Sequence, residues 1–89
     1  MAYKTYVKGK VSEGLWPCEK GFTLYDEKRN FLGSGVFPTL AVKEDRLEIM
    51  VRGEKKGRFL VHFINAGGLG FFGNNSYWVP KSLVTREAH

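Results

Sequence analysis

Arg46-Leu47-Glu48-Ile49-Met50-Val51-Arg52, Gly53-Glu54-Lys55-Lys56-Gly57, Arg58-Phe59-Leu60-Val61-His62-Phe63-Ile64 is the stretch that decides the fold. Its first run alternates Leu47, Ile49 and Val51 against Arg46, Glu48, Met50 and Arg52, the period of two that marks a strand with one buried face. Gly53 to Gly57 is a charged segment bounded by glycines and predicts a hairpin loop. The returning run puts Phe59, Val61 and Phe63 on one face and Leu60, His62 and Ile64 on the other. Apolar on both sides, it predicts a central strand covered by the core on one side and by a loop or a partner on the other. His62 is then expected to be a packed imidazole.

Upstream, Tyr3 to Val11 alternates as well, with Tyr3, Thr5, Val7, Gly9 and Val11 on one face and Lys4, Tyr6, Lys8 and Lys10 on the other. Two readings follow. In one this is an edge strand whose lysines prevent edge-to-edge pairing; in the other it is a phosphate-tracking strip with Tyr6 as a stacking platform. Ser12-Glu13-Gly14 is expected to break the strand, and Leu15 to Gly21, carrying Trp16 and Pro17, to form a loop. Trp16 is either a plug over one end of the core or an exposed anchor. Cys18 is expected to be a small buried residue. Phe22 to Tyr25 and Phe31 to Phe37 make an irregular hairpin around the charged turn Asp26-Glu27-Lys28-Arg29-Asn30. Residues 39–47 fit either a short helix or a strand with a turn.

Downstream, Gly67 to Asn75 combines glycines with Phe71 and Phe72, and Tyr77-Trp78-Val79 reads as a last strand, followed by a turn at Pro80-Lys81-Ser82 and a return at Leu83-Val84. The tail from Thr85 to His89 is expected to fray. A single domain over residues 1–84 follows from the length of 89 residues.

Composition limits the functional classes. The chain is 43% hydrophobic and 15% aromatic, enough to fold. Fourteen Lys and Arg against nine Asp and Glu give a net charge of +5, which favours an anionic partner. One cysteine precludes an internal disulfide and, with two histidines, the usual zinc sites. A reducing, cytoplasmic setting is expected, with neither a leader-like segment nor a membrane-spanning run.

Val79-Pro80-Lys81-Ser82-Leu83-Val84 resembles the closing segment of SH3 domains, and Leu24-Tyr25-Asp26 resembles their opening strand. Five or six short strands with glycine-rich turns in so short a chain point to an all-β small barrel, either SH3-like or an OB-fold. The resemblance favours the first: a small SH3-like barrel of five to six short antiparallel strands with glycine-rich loops and a short 3-10 turn near the C-terminus. Leu83 stands where the SH3 peptide groove has a tyrosine, and no tryptophan begins the strand at Arg58-Phe59. The resemblance therefore implies the barrel rather than polyproline recognition.

A non-enzymatic binding module is the expected function, with no metal and no cofactor. Nucleic acid is the first partner class, bound through Lys4, Tyr6, Lys8, Lys10, Lys55, Lys56 and Arg58 together with the loop aromatics. An acidic protein is the alternative, with Trp16, Phe71, Phe72, Tyr77 and Trp78 as anchors. Catalysis by Cys18 with His62, or by Glu54-Lys55-Lys56, lacks an orienting group and is the third reading.

Overall fold

A computed structural model of the chain describes residues 3–14, 16–63 and 76–88. Its elements are β1 (Tyr3–Lys8), β2 (Lys10–Glu13), β3 (Glu19–Tyr25), β4 (Phe31–Pro38), a 3-10 turn at Thr39–Ala41, β5 (Val42–Lys43), β6 (Arg46–Lys55), β7 (Arg58–His62), β8 (Ser76–Pro80), a second 3-10 turn at Lys81–Leu83, and β9 (Val84–Ala88). The fold is all-β. Among the described residues there are nine strands where five or six were expected, because the segments on either side of the central hairpin pair as well.

The strands form two antiparallel sheets. The larger has the order β8-β7-β6-β1-β9, with β5 added on β6; the smaller is the meander β2-β3-β4. β8 and β9 end the path of the larger sheet and the second 3-10 turn joins them, so the described ladders do not close into a barrel. The turn at Lys81–Leu83 lies where the closing segment places it. The strand paired with β9 is β1, whereas Leu24 and Tyr25 end β3 in the smaller sheet.

The decisive hairpin forms with a shorter loop than the glycines suggested. β6 runs on to Lys55, Lys55 pairs with Arg58, and only Lys56 and Gly57 turn. Their φ values, 41° and 79°, are both positive, as a type I′ connection requires. A register shift between Val51 and Gly53 marks a bulge at Arg52. β7 is central, between β6 and β8, as its two apolar faces predict.

Between the sheets lies one core. Val7, Leu47, Ile49, Val61, Phe63 and Val79 of the larger sheet and its loops meet Phe22, Leu24 and Phe37 of the smaller, with Ala41 from the first 3-10 turn. Rings link the two layers: Phe22 meets Phe37 edge-on at 6.4 Å, Phe37 meets Phe63 at 5.7 Å, and Phe63 meets Tyr77 at 5.9 Å. Contacts of this kind add about 0.5–1.5 kcal/mol each to the apolar burial.

Gly9 carries the chain from one sheet to the other. Its N–H donates to the Asp45 carbonyl at 2.9 Å. A Cβ on Gly9 would stand 2.5 Å from the Phe22 ring and 2.6 Å from the Thr23 carbonyl oxygen, so only glycine fits. The uninterrupted strand expected from Tyr3 to Val11 is thus two strands in different sheets.

Four other expectations are corrected. β1 is not an edge strand; it lies between β6 and β9. Ser12 and Glu13 extend β2 and pair with Gly21 and Lys20, rather than breaking a strand. Thr85 to Ala88 are not frayed, because they pair with Tyr3 to Tyr6. Cys18 is exposed, in the turn before β3. Residues 39–47 resolve into the 3-10 turn, the short β5, a turn at Glu44-Asp45 and the start of β6. Among the described residues no helix is long and apolar enough to cross a membrane.

Candidate anion-binding surface

The structure distributes the predicted site residues over separate places. Tyr6 is 4% exposed and is not a stacking platform. Lys43 Nζ and Arg46 Cζ stand 5.9 and 5.6 Å from its ring centre. Glu87, on the neighbouring β9, accepts hydrogen bonds from Lys43 at 2.8 Å and from Arg46. The hydrogen bond from Lys43, then that from Arg46, holds the Glu87 carboxyl below the usual glutamate range. Lys4 pairs with Glu48 at 3.9 Å on the same face. This end of β1 is a neutralised lid over Tyr6 and not a phosphate-tracking strip.

Ion pairing locates the net charge. Lys4, Lys8, Lys20, Lys43, Arg46, Arg58 and Lys81 are matched by Glu48, Asp45, Glu13, Glu87, Glu44, Glu27 and Glu54. Seven cations therefore remain outside ion pairs among the described residues, namely Lys10, Lys28, Arg29, Arg52, Lys55, Lys56 and Arg86, against Glu19 and Asp26. That difference is the net +5. Four of the seven line two depressions.

The first depression, about 430 Å³, lies at the seam where Gly9 passes between the sheets and is lined by Lys8, Lys10, Tyr25, Asp26, Arg29 and Leu83. Its one carboxylate is already engaged. Asp26 Oδ1 accepts from the backbone N–H groups of Lys28 and Asn30, each at 2.8 Å, and Oδ2 accepts from Asn30 Nδ2 at 3.0 Å. The Asn30 bonds are the main reason its pKa is lowered, and it remains charged. Those bonds shape a tight turn that holds Arg29 at φ 64°.

The second depression, about 320 Å³, lies at the tip of the β6–β7 hairpin and is lined by Lys55, Lys56, Arg58 and Trp78. Arg58 bridges the two places, since its Nη2 donates to Glu27 Oε1 at 3.1 Å and Glu27 adjoins Asp26. The 3-10 turn also ties the tip to the seam, through Lys81 N–H to the Gly57 carbonyl at 3.1 Å.

Three described non-glycine residues have positive φ: Arg29, Glu44 and Lys56. Two of the three are unpaired cations of these depressions. Asn or Gly would relieve the backbone at such positions, and side chains kept there at a cost of about 1–3 kcal/mol cluster at functional sites.

Of the predicted residues, then, Lys8 and Lys10 meet in one depression and Lys55, Lys56, Arg58 and Trp78 in the other. Lys4 and Tyr6 belong to the neutralised face. Trp16 is 65% exposed but lines neither depression. Phe71 and Phe72, with the whole Gly67–Asn75 segment, lie outside the described residues. Arg29 was not singled out in the sequence; the Asp26…Asn30 spacing of an Asx-type turn was the available signal. His62 lies partly exposed and shares a 3.2 Å hydrogen bond with Ser76 Oγ. Among the described residues no three His, Cys, Asp or Glu side chains group to hold a metal. Comparison with protein-family models, with curated proteins and with solved structures gave no significant match to this chain.

Proposed function

We propose that the protein is a non-enzymatic nucleic-acid-binding module, and that the bound backbone runs over the seam depression to the hairpin tip. One observation carries this reading: the cations left over from ion pairing concentrate in two adjoining depressions, each of which also holds an aromatic ring, Tyr25 in one and Trp78 in the other. Cations without carboxylate partners attract phosphates and release the counterions condensed on them. Rings beside them supply contacts that do not depend on base identity. Lys8 and Arg58 add charge that a phosphate would share with Asp45 and Glu27.

The test compares two substitutions of equal charge. Lys10→Glu lies in the seam depression, whereas Arg86→Glu lies outside both, beside Tyr3. Fluorescence anisotropy with labelled oligonucleotides at low salt should show binding weakened by Lys10→Glu and little changed by Arg86→Glu. Equal loss in both variants would reduce the effect to overall charge, and absence of binding by the parent chain would end the reading.

A second reading, a protein-interaction surface, has a different observation behind it. Leu40 is 99% exposed beside Cys18, Pro38 and Thr39, and Trp16 is 65% exposed at the start of the same turn. A partner that is retained after nuclease treatment and lost on Leu40→Glu would favour it.

A further inference from the structure

We propose that Trp78 is a base-stacking platform and that the nucleic acid taken by this surface is single-stranded; the inference rests on the nucleic-acid reading above. In β8 the neighbours of Trp78 face inward. Val79 is fully buried, and Tyr77 packs on Phe63. By the alternation of a strand, Trp78 is on the opposite, outer face, where it remains 42% exposed. A ring of that size left in water is the informative kind of exposure, since a tryptophan has more apolar surface to bury than any other side chain.

The ring is also held in place. Its cross-strand partner is Leu60, which in turn pairs with Gly53 on β6. A Cβ on Gly53 would lie 3.5 Å from Leu60 Cβ and 3.6 Å from Trp78 Cη2, so the indole reaches across β7 to the bare backbone of β6. The bulge at Arg52 precedes this glycine and sets the register that puts it opposite Leu60. Supported from below, the ring forms the apolar part of a depression whose other lining residues are the cations Lys55, Lys56 and Arg58.

A duplex and a single strand meet this arrangement differently. In a duplex the flat faces of the bases are stacked on one another and the outside offers phosphates and base edges. Such a ligand satisfies the cations and leaves the indole without a partner. An unpaired base offers its π-face to Trp78 while the phosphates on either side meet Lys55, Lys56 and Arg58. The seam depression then takes the continuing backbone at Lys10 and Arg29, with Tyr25 beside them. Selection for single strands thus comes from the ring, and affinity for phosphate from the cations.

The experiment uses the full chain carrying Trp16→Phe, which leaves Trp78 as the only tryptophan. Oligothymidylate and oligouridylate should quench its emission on binding, whereas a duplex of equal length at the same salt should not. Trp78→Ala should weaken single-strand binding by about 5- to 150-fold, the range for losing one stacked base, and leave the salt dependence and the duplex affinity unchanged. Trp78→Phe, which keeps a ring over Leu60, should retain part of the affinity and serves if the alanine variant fails to fold. Binding detected by anisotropy without any change in Trp78 emission would overturn the inference. So would an equal loss on duplex and single strand, or equal affinity for polyglutamate, and each of the first two outcomes leaves nucleic-acid binding itself intact. Failure of every oligonucleotide to bind at low salt instead removes the reading on which the inference stands.

Discussion

Replacing Lys55 and Lys56 together by Gln removes two of the four unpaired cations that line the depressions, with no carboxylate left stranded, because neither lysine is in an ion pair. Each phosphate neutralised on a single strand contributes about −0.7 to the slope of log affinity against log salt. Four such contacts, Lys10, Arg29, Lys55 and Lys56, give a slope of about −2.8, and therefore about a 50-fold loss between about 50 and 200 mM salt. The double variant retains two of them, so its slope should fall to about −1.4 and its loss over the same interval to about sevenfold. Lys8 and Arg58 are omitted because Asp45 and Glu27 already neutralise them in part. Anisotropy titrations with a labelled single strand at several salt concentrations measure both slopes. A double variant with the parental slope would refute the placement of phosphates at the hairpin tip, and a parental slope near zero would refute the electrostatic account altogether.

Two predictions concern the scaffold. Gly9→Ala should lower stability by several kcal/mol in chemical denaturation, since the new methyl would meet the buried Phe22 ring and a backbone oxygen at 2.5–2.6 Å; a change within about 0.5 kcal/mol would mean that the seam is not closely packed. Glu87 has a folded pKa below its unfolded one, so its contribution is present above the ordinary glutamate value of about 4.3 and is lost as pH falls through the lowered folded value. Glu87→Gln should therefore flatten the acid limb of the stability curve, and an unchanged acid limb would show that Lys43 and Arg46 do not hold the carboxylate in solution.

The sequence carried the local pairing well. Alternation of Leu47, Ile49 and Val51 with charged neighbours, and two apolar faces on the returning strand, depend only on nearest neighbours, and the hairpin formed accordingly. Because the hairpin sets its own register, the grouping of Lys55, Lys56 and Arg58 was legible too. Tyr6 was misread for the opposite reason. Whether a strand is an edge depends on partners distant in sequence, here Glu48 on one side and Thr85 on the other. A tyrosine among lysines looks solvent-facing until Lys43, Arg46 and Glu87 are folded over it. Gly9 likewise continued an alternating pattern, and only the proximity of Phe22 and Thr23 explains why the chain must change sheets there. The seam depression escaped notice because it draws Lys8 and Lys10, Arg29 and Leu83 from three separated segments.

The pairing of β1 with β9 also bears on how the chain reaches its fold. Tyr3 to Val7 lie opposite Val84 to Ala88, and the same first strand is the link between β9 and β6. Contacts this far apart in sequence require most of the loop-closure entropy to be spent before they return any stabilisation, and proteins rich in them fold in milliseconds to seconds rather than microseconds. During synthesis β1 emerges before β9 and must wait for it, while the β2-β3-β4 meander can pair among residues close in sequence. Folding of the larger sheet is thereby tied to completion of β9.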